Sequence, residues 1–318
     1  MQMPPALQCA VDALLRDAPP GDVRAAAESL SQRYRLDEQH PAGQRLLRSE
    51  GEMRAYCAFR MPATYAALVR AMELLRQSGV PEITTLTDVG SGTGSALWAT
   101  REVFGVQSAA LIEREPGMIA LAKRLLADVD DVDANWTQQD MLTADLPPAD
   151  LVTASFCLGE LAQPDAARMV QRLWQAARTA LLIVEPGTPA GHARIRAYAA
   201  LLRELGAHMA APCPSFAGCP IAADDWCHFT VRVERTGLHR YLKDGTLPYE
   251  DEKFSFLAVT REPASPAAAR IRRRPLVHSG FVELPLCRDG AAETVRVTKK
   301  HPAYKAARKA QVGDRWED

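Results

Sequence analysis

The sequence predicts an α/β fold: a parallel sheet covered by helices, with an N-terminal helical extension, a cysteine-rich insertion and a small, basic C-terminal β region. Three observations predict it. Strand-like and helix-like stretches alternate from residue 81 to about 207. A glycine loop, TDVGSGTGSALW, joins the first strand of that series to its first helix. The alternation then breaks at residues 208–253, where prolines, aromatics and three cysteines gather. Strands separated by helix-length connections pair in parallel, with the helices lying on both faces of the sheet.

Residues 1 to about 80 read as helical. In MPATYAALVRAMELLRQSG, Tyr65, Leu68, Met72 and Leu75 recur at the helical period, and Gly79 and Pro81 mark the stop. ITTLTDV is the first strand and SALWATREVF the helix after it. AALIE is the second strand, followed by PGMIALAKRLLADV with Pro116 in its first turn. ANWTQQD, ADLVTASF and TALLIVE supply three more strands, with AARMVQRLWQAA and GHARIRAYAALLREL as helices. FSFLAVT resumes a strand after the insertion, residues 263–269 (PASPAAA) read as a loop, and LVHSGFVEL and ETVRVT are short strands before a basic tail. The expected divisions are a helical region 1–80, a core 81–262 carrying the insertion, and a C-terminal region 263–318.

A chain of 318 residues with 47% hydrophobic content can bury a sizeable core. A formal net charge of −1 excludes a chain-wide polybasic binder, so contacts to nucleic acid must come from local patches. No apolar run approaches the roughly 20 residues that span a bilayer, so no membrane is expected. The first twenty residues lack a basic-then-apolar layout and carry Asp12 and Asp17, unlike a secretory or transit segment. The expected location is the cytoplasm, and the heavy use of Ala and Arg points to a bacterial genome. The seven cysteines then do not form a disulfide framework.

Asp88 closes the first strand, and Gly90, Gly92 and Gly94 give G-x-G-x-G. A dinucleotide fingerprint would place its third glycine one position later, at Ser95. The observed spacing resembles the first motif of class I S-adenosylmethionine (SAM)-dependent methyltransferases. Glycines there let the backbone approach the cofactor with no Cβ in the way. Glu113, 19 residues after Gly94, ends the second strand where a carboxylate accepts from both ribose hydroxyls. Asp140 follows the third strand, where such enzymes contact the adenine amine. A Rossmann-like class I methyltransferase sheet is therefore expected, with Asp88, Gly90, Gly92, Gly94, Glu113 and Asp140 as its cofactor set. After the fourth strand the chain reads Ser155-Phe156-Cys157-Leu158-Gly159-Glu160, with no Asn/Asp-Pro-Pro-aromatic motif and no Pro-Cys dipeptide. Cys157 reads as a buried, inert thiol and Glu160 as a helix-start charge, so no catalytic base is assigned.

Cys213, Cys219 and Cys227 stand in APCPSFAGCPIAADDWCHF, with Cys287 60 positions beyond Cys227. Thiolates are soft ligands suited to zinc or to iron–sulfur clusters. Zinc knuckles use tight pairs two to four residues apart, whereas the gaps here are five and seven, which suits a bulkier [4Fe–4S] cluster. A zinc site with His208 or His228 among its ligands stays open on spacing alone.

The run APCPSFAGCPIAADDWCHFTVRVERTGLHRYLKDGTLPYEDEKFSFLAV, LTDVGSGTGSALWA and the tail KKHPAYKAARKAQVGDRW together resemble a family of methyltransferase-like proteins that act on the small ribosomal subunit. Its best-known members are mitochondrial small-subunit assembly factors, and it has bacterial relatives. The resemblance implies a [4Fe–4S] cluster on Cys213, Cys219, Cys227 and Cys287, and binding to small-subunit ribosomal RNA in a subunit precursor. A monomer is expected when the chain is free. Residues 294–311 hold Arg296, Lys299, Lys300, Lys305, Arg308 and Lys309 with no acidic residue, and a second cluster is Arg270, Arg272, Arg273 and Arg274. Such patches neutralise phosphates, and Tyr304 and His301 are placed to stack on bases. The leading function classes are an assembly factor that binds RNA and an active rRNA methyltransferase; a redox enzyme passing electrons from the cluster to SAM ranks third, because the compact C-x₃-C-x₂-C run common in such enzymes is absent.

Overall fold

A computed structural model of the chain describes residues 1–16, 18–36, 49–222, 224–243 and 245–317. Residues 37–48 of the expected helical extension, and Ala223 and Asp244 of the insertion, lie outside the described residues. The extension holds α1 (Pro5–Leu15), α2 (Pro20–Leu36), α3 (Glu50–Phe59) and α4 (Met61–Arg76). The core follows as β1 (Thr85–Val89), α5 (Ser95–Phe104), β2 (Ser108–Glu113), α6 (Pro116–Leu125), β3 (Asp133–Gln138), β4 (Ala149–Ser155), α7 (Gln163–Ala176), β5 (Ala177–Pro186) and α8 (Pro189–Glu204). Next come β6 (His208–Ala211), β7 (Phe229–Glu234), α9 (Gly237–Leu242) and β8 (Tyr249–Thr260).

These strands form one sheet in the order β3-β2-β1-β4-β5-β8-β6, with β7 also paired to β8. The first five strands run parallel, and β8 returns antiparallel to β5. The chain reverses direction across the sheet between β1 and β4, which opens a crevice beyond their carboxyl ends, the place where such sheets bind ligands. Strand β5 shows why the sheet is buried on both faces. Ala180, Leu182 and Val184 enter the core on one side, and Leu181 and Ile183 the core on the other. A continuous apolar run of this kind is expected of a strand covered by helices on both sides.

Helix α4 lies between α3 and the sheet, against α5 and the β7–β8 pair. Tyr65, Leu68, Met72 and Leu75 are all buried, as their spacing predicts, and so are Ala63, Ala66, Ala67 and Ala71 on the remaining faces. Small alanines let the helix sit close to neighbours on several sides. Truncating Leu75 to Ala would cost about 2–5 kcal/mol at such a fully buried site. Gly79, with φ of 79°, ends the segment in a conformation that other residues rarely adopt.

A second, antiparallel sheet contains β9 (Ala269–Ile271), β10 (Leu276–Val277), β11 (Phe281–Arg288), β12 (Ala291–Thr298) and β13 (Arg315–Trp316), with α10 (Tyr304–Ala307) packed on it. Two expectations change here. LVHSGFVEL is not one strand, because Ser279-Gly280 turns the chain so that β10 folds back on β11. The basic tail is not loose either. Its end supplies β13, Trp316 is buried, and Tyr304 packs partly buried against this sheet's own core of Ile271, Val282, Leu284, Leu286 and Val297. Among the described residues no helix is long and apolar enough to cross a membrane.

Candidate functional site

The first site is the crevice at the carboxyl ends of β1, β2 and β4. Gly90, Gly92 and Gly94 all have positive φ, at 70°, 53° and 80°. At Gly90 the reason is also steric, since a Cβ would stand 2.8 Å from Cys157 Cβ and 2.9 Å from its Sγ. The Gly92 N–H donates to Glu113 Oε2 at 2.8 Å, and the Glu115 N–H to Glu113 Oε1 at 2.9 Å. Each carboxylate oxygen keeps a lone pair for a further donor. Gly90, Gly92, Glu113 and Asp140 border one cavity of about 360 Å³. Asp140 is exposed at its rim, its Oδ1 accepting from the Leu142 N–H at 2.9 Å.

Asp88 and Gly94 stand behind the cavity wall. Gly94 precedes the first turn of α5. Asp88 is buried and accepts from Thr153 Oγ1 at 2.6 Å, while its Oδ2 has no protein partner. Burial pushes the Asp88 carboxyl up to about 7, against the Thr153 hydrogen bond and with help from Glu113. A buried, half-satisfied carboxylate behind a glycine cradle fits a cationic ligand group.

The cavity is also bordered by two residues that the sequence did not mark. Tyr56 and Arg60 reach the cavity from α3 and the α3–α4 junction. Arg60 pairs with Glu252 at 2.9 Å, and its guanidinium lies 5.3 Å from the Phe156 ring centroid. Phe156 itself has φ of 56°, a rare conformation for an aromatic residue. Glu160 borders the same space 3.7 Å from Arg114. Burial, opposed by Arg114 and reinforced by Glu113, pushes Glu160 up to about 7. Cys157 is buried, its Sγ donates to the Val89 carbonyl at 3.3 Å, and burial raises its thiol well above the usual range. It packs under the glycine loop.

The second site gathers the four cysteines. Cys213, Cys219, Cys227 and Cys287 all border one cavity of about 240 Å³ between α8, the cysteine segment and the second sheet. Cys287 arrives on β11, paired with Arg270 of β9. Burial pushes the Cys227 thiol up to about 12 and raises Cys213 and Cys287, and the neighbouring thiols add to it in each case. Mutual repulsion of this kind is relieved by a bound cation or cluster. Among the described residues no three His, Cys, Asp or Glu side chains are grouped so as to hold a metal ion. The zinc alternatives fare differently from the thiols: neither His208 nor His228 borders the cavity, and His228 stacks on Trp226 instead. His192, from the first turn of α8, does border it, with Nε2 3.7 Å from Cys219 Sγ. The segment is also pinned through Trp226, whose Nε1–H donates to the Gly187 carbonyl at 3.0 Å.

The basic residues separate into two groups. Lys299, Lys300, His301, Lys305, Arg308 and Lys309 are exposed, as expected. The arginine cluster at 270–274 is corrected. Arg270 is buried, donating to the Pro212 carbonyl at 2.9 Å and the Gly313 carbonyl at 2.9 Å, and burial lowers its pKa to about 10. Arg272 borders the cysteine cavity, Arg273 pairs with Asp225, and Arg274 is exposed. Arg296 pairs with Glu283 at 3.1 Å and covers Phe281.

Strand order, the antiparallel β8 and the glycine loop tied to Glu113 define a Rossmann-like class I methyltransferase fold. Residues 50–317 match the family described as mitochondrial small ribosomal subunit Rsm22, and the chain belongs to that family. The human mitochondrial ribosome assembly protein METTL17 is 29% identical over 297 residues, covering 85% of this chain and 64% of the human protein. The chain thus spans slightly under two thirds of that relative's length. Among solved structures, magnesium protoporphyrin IX methyltransferase from Synechocystis PCC 6803 with bound SAM is 15% identical. That match covers 73% of this chain and 90% of that one, with a TM-score of 0.42. A SAM-dependent methyltransferase from Aquifex aeolicus is 14% identical over 68% of this chain and 100% of that one, with a TM-score of 0.42.

Proposed function

We propose that this chain is an assembly factor of the small ribosomal subunit that binds SAM in the glycine-loop cavity and a [4Fe–4S] cluster on Cys213, Cys219, Cys227 and Cys287. The observation that carries the reading is the meeting of these four cysteines, from separate stretches of a chain of this family, on one cavity. Four thiols bordering one cavity match the ligand number of a [4Fe–4S] cluster. The cluster would tie the cysteine segment to β11 of the second sheet and so hold the two sheets' junction. For SAM, the fit rests on the positive-φ Gly90 and Gly92 bordering one cavity with Glu113 and Asp140, and on the unpartnered Asp88 Oδ2 behind it. Glu113 would take the ribose hydroxyls and Asp140 the adenine amine, with Gly92 and Gly94 shaping the loop. When bound, SAM supplies an electrophilic methyl group.

The exposed Lys299, Lys300, Lys305, Arg308 and Lys309 would meet phosphates of small-subunit ribosomal RNA in the subunit precursor. The chain would act as a cytoplasmic monomer until it docks. Fractionation of a cell lysate on a sucrose gradient tests this. Association with small-subunit precursors supports the reading, and absence from every ribosomal fraction sinks it.

A second reading, an active rRNA methyltransferase, is favoured by Glu160 on the cofactor cavity beside Glu113. Anaerobically purified protein with labelled SAM and subunits from cells lacking it would place label in the RNA if this holds. An unlabelled RNA under those conditions excludes it.

A further inference from the structure

His192 stands at the cysteine cavity from a part of the chain that no cysteine motif includes. It lies in the first turn of α8, which Thr188 caps by accepting from the Gly191 N–H at 3.1 Å. The His192 N–H in turn donates to the Thr188 carbonyl at 2.9 Å, so the backbone under the imidazole is held. Gly191 permits this start because a Cβ there would stand 2.0 Å from the Pro186 carbonyl oxygen. The side chain is buried, at 6% exposure, and its Nε2 is 3.7 Å from Cys219 Sγ. Cys219 sits on the long segment between β6 and β7, with no regular structure of its own to fix the thiol.

We infer that His192 is a positioning residue for the metal site: its ring N–H donates a hydrogen bond to the Cys219 thiolate, orienting that ligand from the rigid start of α8. The inference rests on the cluster reading above. A thiolate that accepts a hydrogen bond carries less charge toward iron, and donors to ligand sulfur are among the features that set a cluster's reduction potential. Groups behind a metal's own ligands also set how tightly the metal is held. The neighbouring Arg196 and Arg272 border the same cavity, so the thiolates would sit in a partly cationic surround.

The test uses the full chain reconstituted anaerobically with ferric iron, a thiol reductant and sulfide, as wild type, His192→Phe and His192→Gln. His192→Leu serves as a second donor-free variant should the larger ring prevent folding. The donor-free variant is expected to hold the same iron and sulfide as wild type. It should lose them to a chelator about tenfold faster, and its reduction midpoint against dithionite should be more negative. His192→Gln, which keeps an N–H donor, should restore much of both. Equal loss rates and midpoints in wild type and donor-free variants would overturn the role. Folded variants that hold less iron and sulfide than wild type, His192→Gln included, would make His192 a ligand and overturn it equally. Wild type that takes up no iron and sulfide would sink the cluster reading itself, an outcome distinct from either.

Discussion

The Gly92 N–H donates to Glu113 Oε2 at 2.8 Å, so the glycine loop after β1 is held by the last residue of β2. One carboxylate therefore shapes the loop and presents free lone pairs to the cavity. Replacing Glu113 with Ala removes both functions. The expected outcome is a loss of SAM affinity of about ten- to a hundredfold, the scale of one or two hydrogen bonds to a charged group. Calorimetric titration checks this, and an unchanged affinity would place the ribose elsewhere.

Gly90→Ala should be more damaging than its size suggests. The new methyl would meet Cys157 at under 3 Å, at a φ of 70°. A cost of about 1–3 kcal/mol is expected from the backbone conformation alone. A lowered melting temperature and lost SAM binding are the readouts. Cys157→Ala in the same chain should recover part of the stability, because it removes the Sγ that the methyl strikes.

Asp88 gives a pH dependence with a definite sign. Its folded pKa, about 7, lies above the unfolded value, so its contribution to stability is complete below pH of about 4 and is lost as pH rises through about 7. Asp88→Asn should therefore gain stability over wild type progressively between those values, read as melting temperature against pH. SAM affinity should move oppositely. In wild type it should rise as Asp88 ionises toward pH 8, and in Asp88→Asn it should stay flat.

How far the sequence reached depends on what kind of signal each residue leaves. The glycine loop and its link to Glu113 were legible because a tight strand-to-helix turn imposes its glycine spacing on adjacent residues, and the alternation of strands and helices carried the parallel sheet with it. The four cysteines stood out by type, and the structure brings them to one cavity. Tyr56, Arg60 and His192 were not legible. Each lies on or beside a helix far in sequence from the motifs, and only the packing of distant segments brings it to a site. Arg270 misled for the opposite reason. A run of arginines reads as a solvated patch, yet the β9 register turns this one inward to two backbone carbonyls. Tyr304 reads as a free ring in a basic tail, but the tail folds back and α10 packs it onto the second sheet.

The lysines at the end of the chain should act additively and without sequence preference. Lys299→Ala with Lys300→Ala is expected to weaken binding to small-subunit RNA and to lower the salt slope of binding by about one for each phosphate no longer neutralised. Arg270→Ala should instead reduce folding stability, since it leaves the Pro212 and Gly313 carbonyls without their donors. Filter binding across a salt series, beside thermal denaturation, separates the two effects.

The most direct measurement is gradient sedimentation of the anaerobically isolated chain with small-subunit precursors, comparing wild type with Cys219→Ser and assaying iron and sulfide in each fraction. The account predicts wild type in the precursor fractions with matched iron and sulfide, and a Cys219→Ser chain that is less stable, poor in iron and largely released from them. A stable Cys219→Ser chain that stays on the precursors, or wild type absent from them, would contradict it.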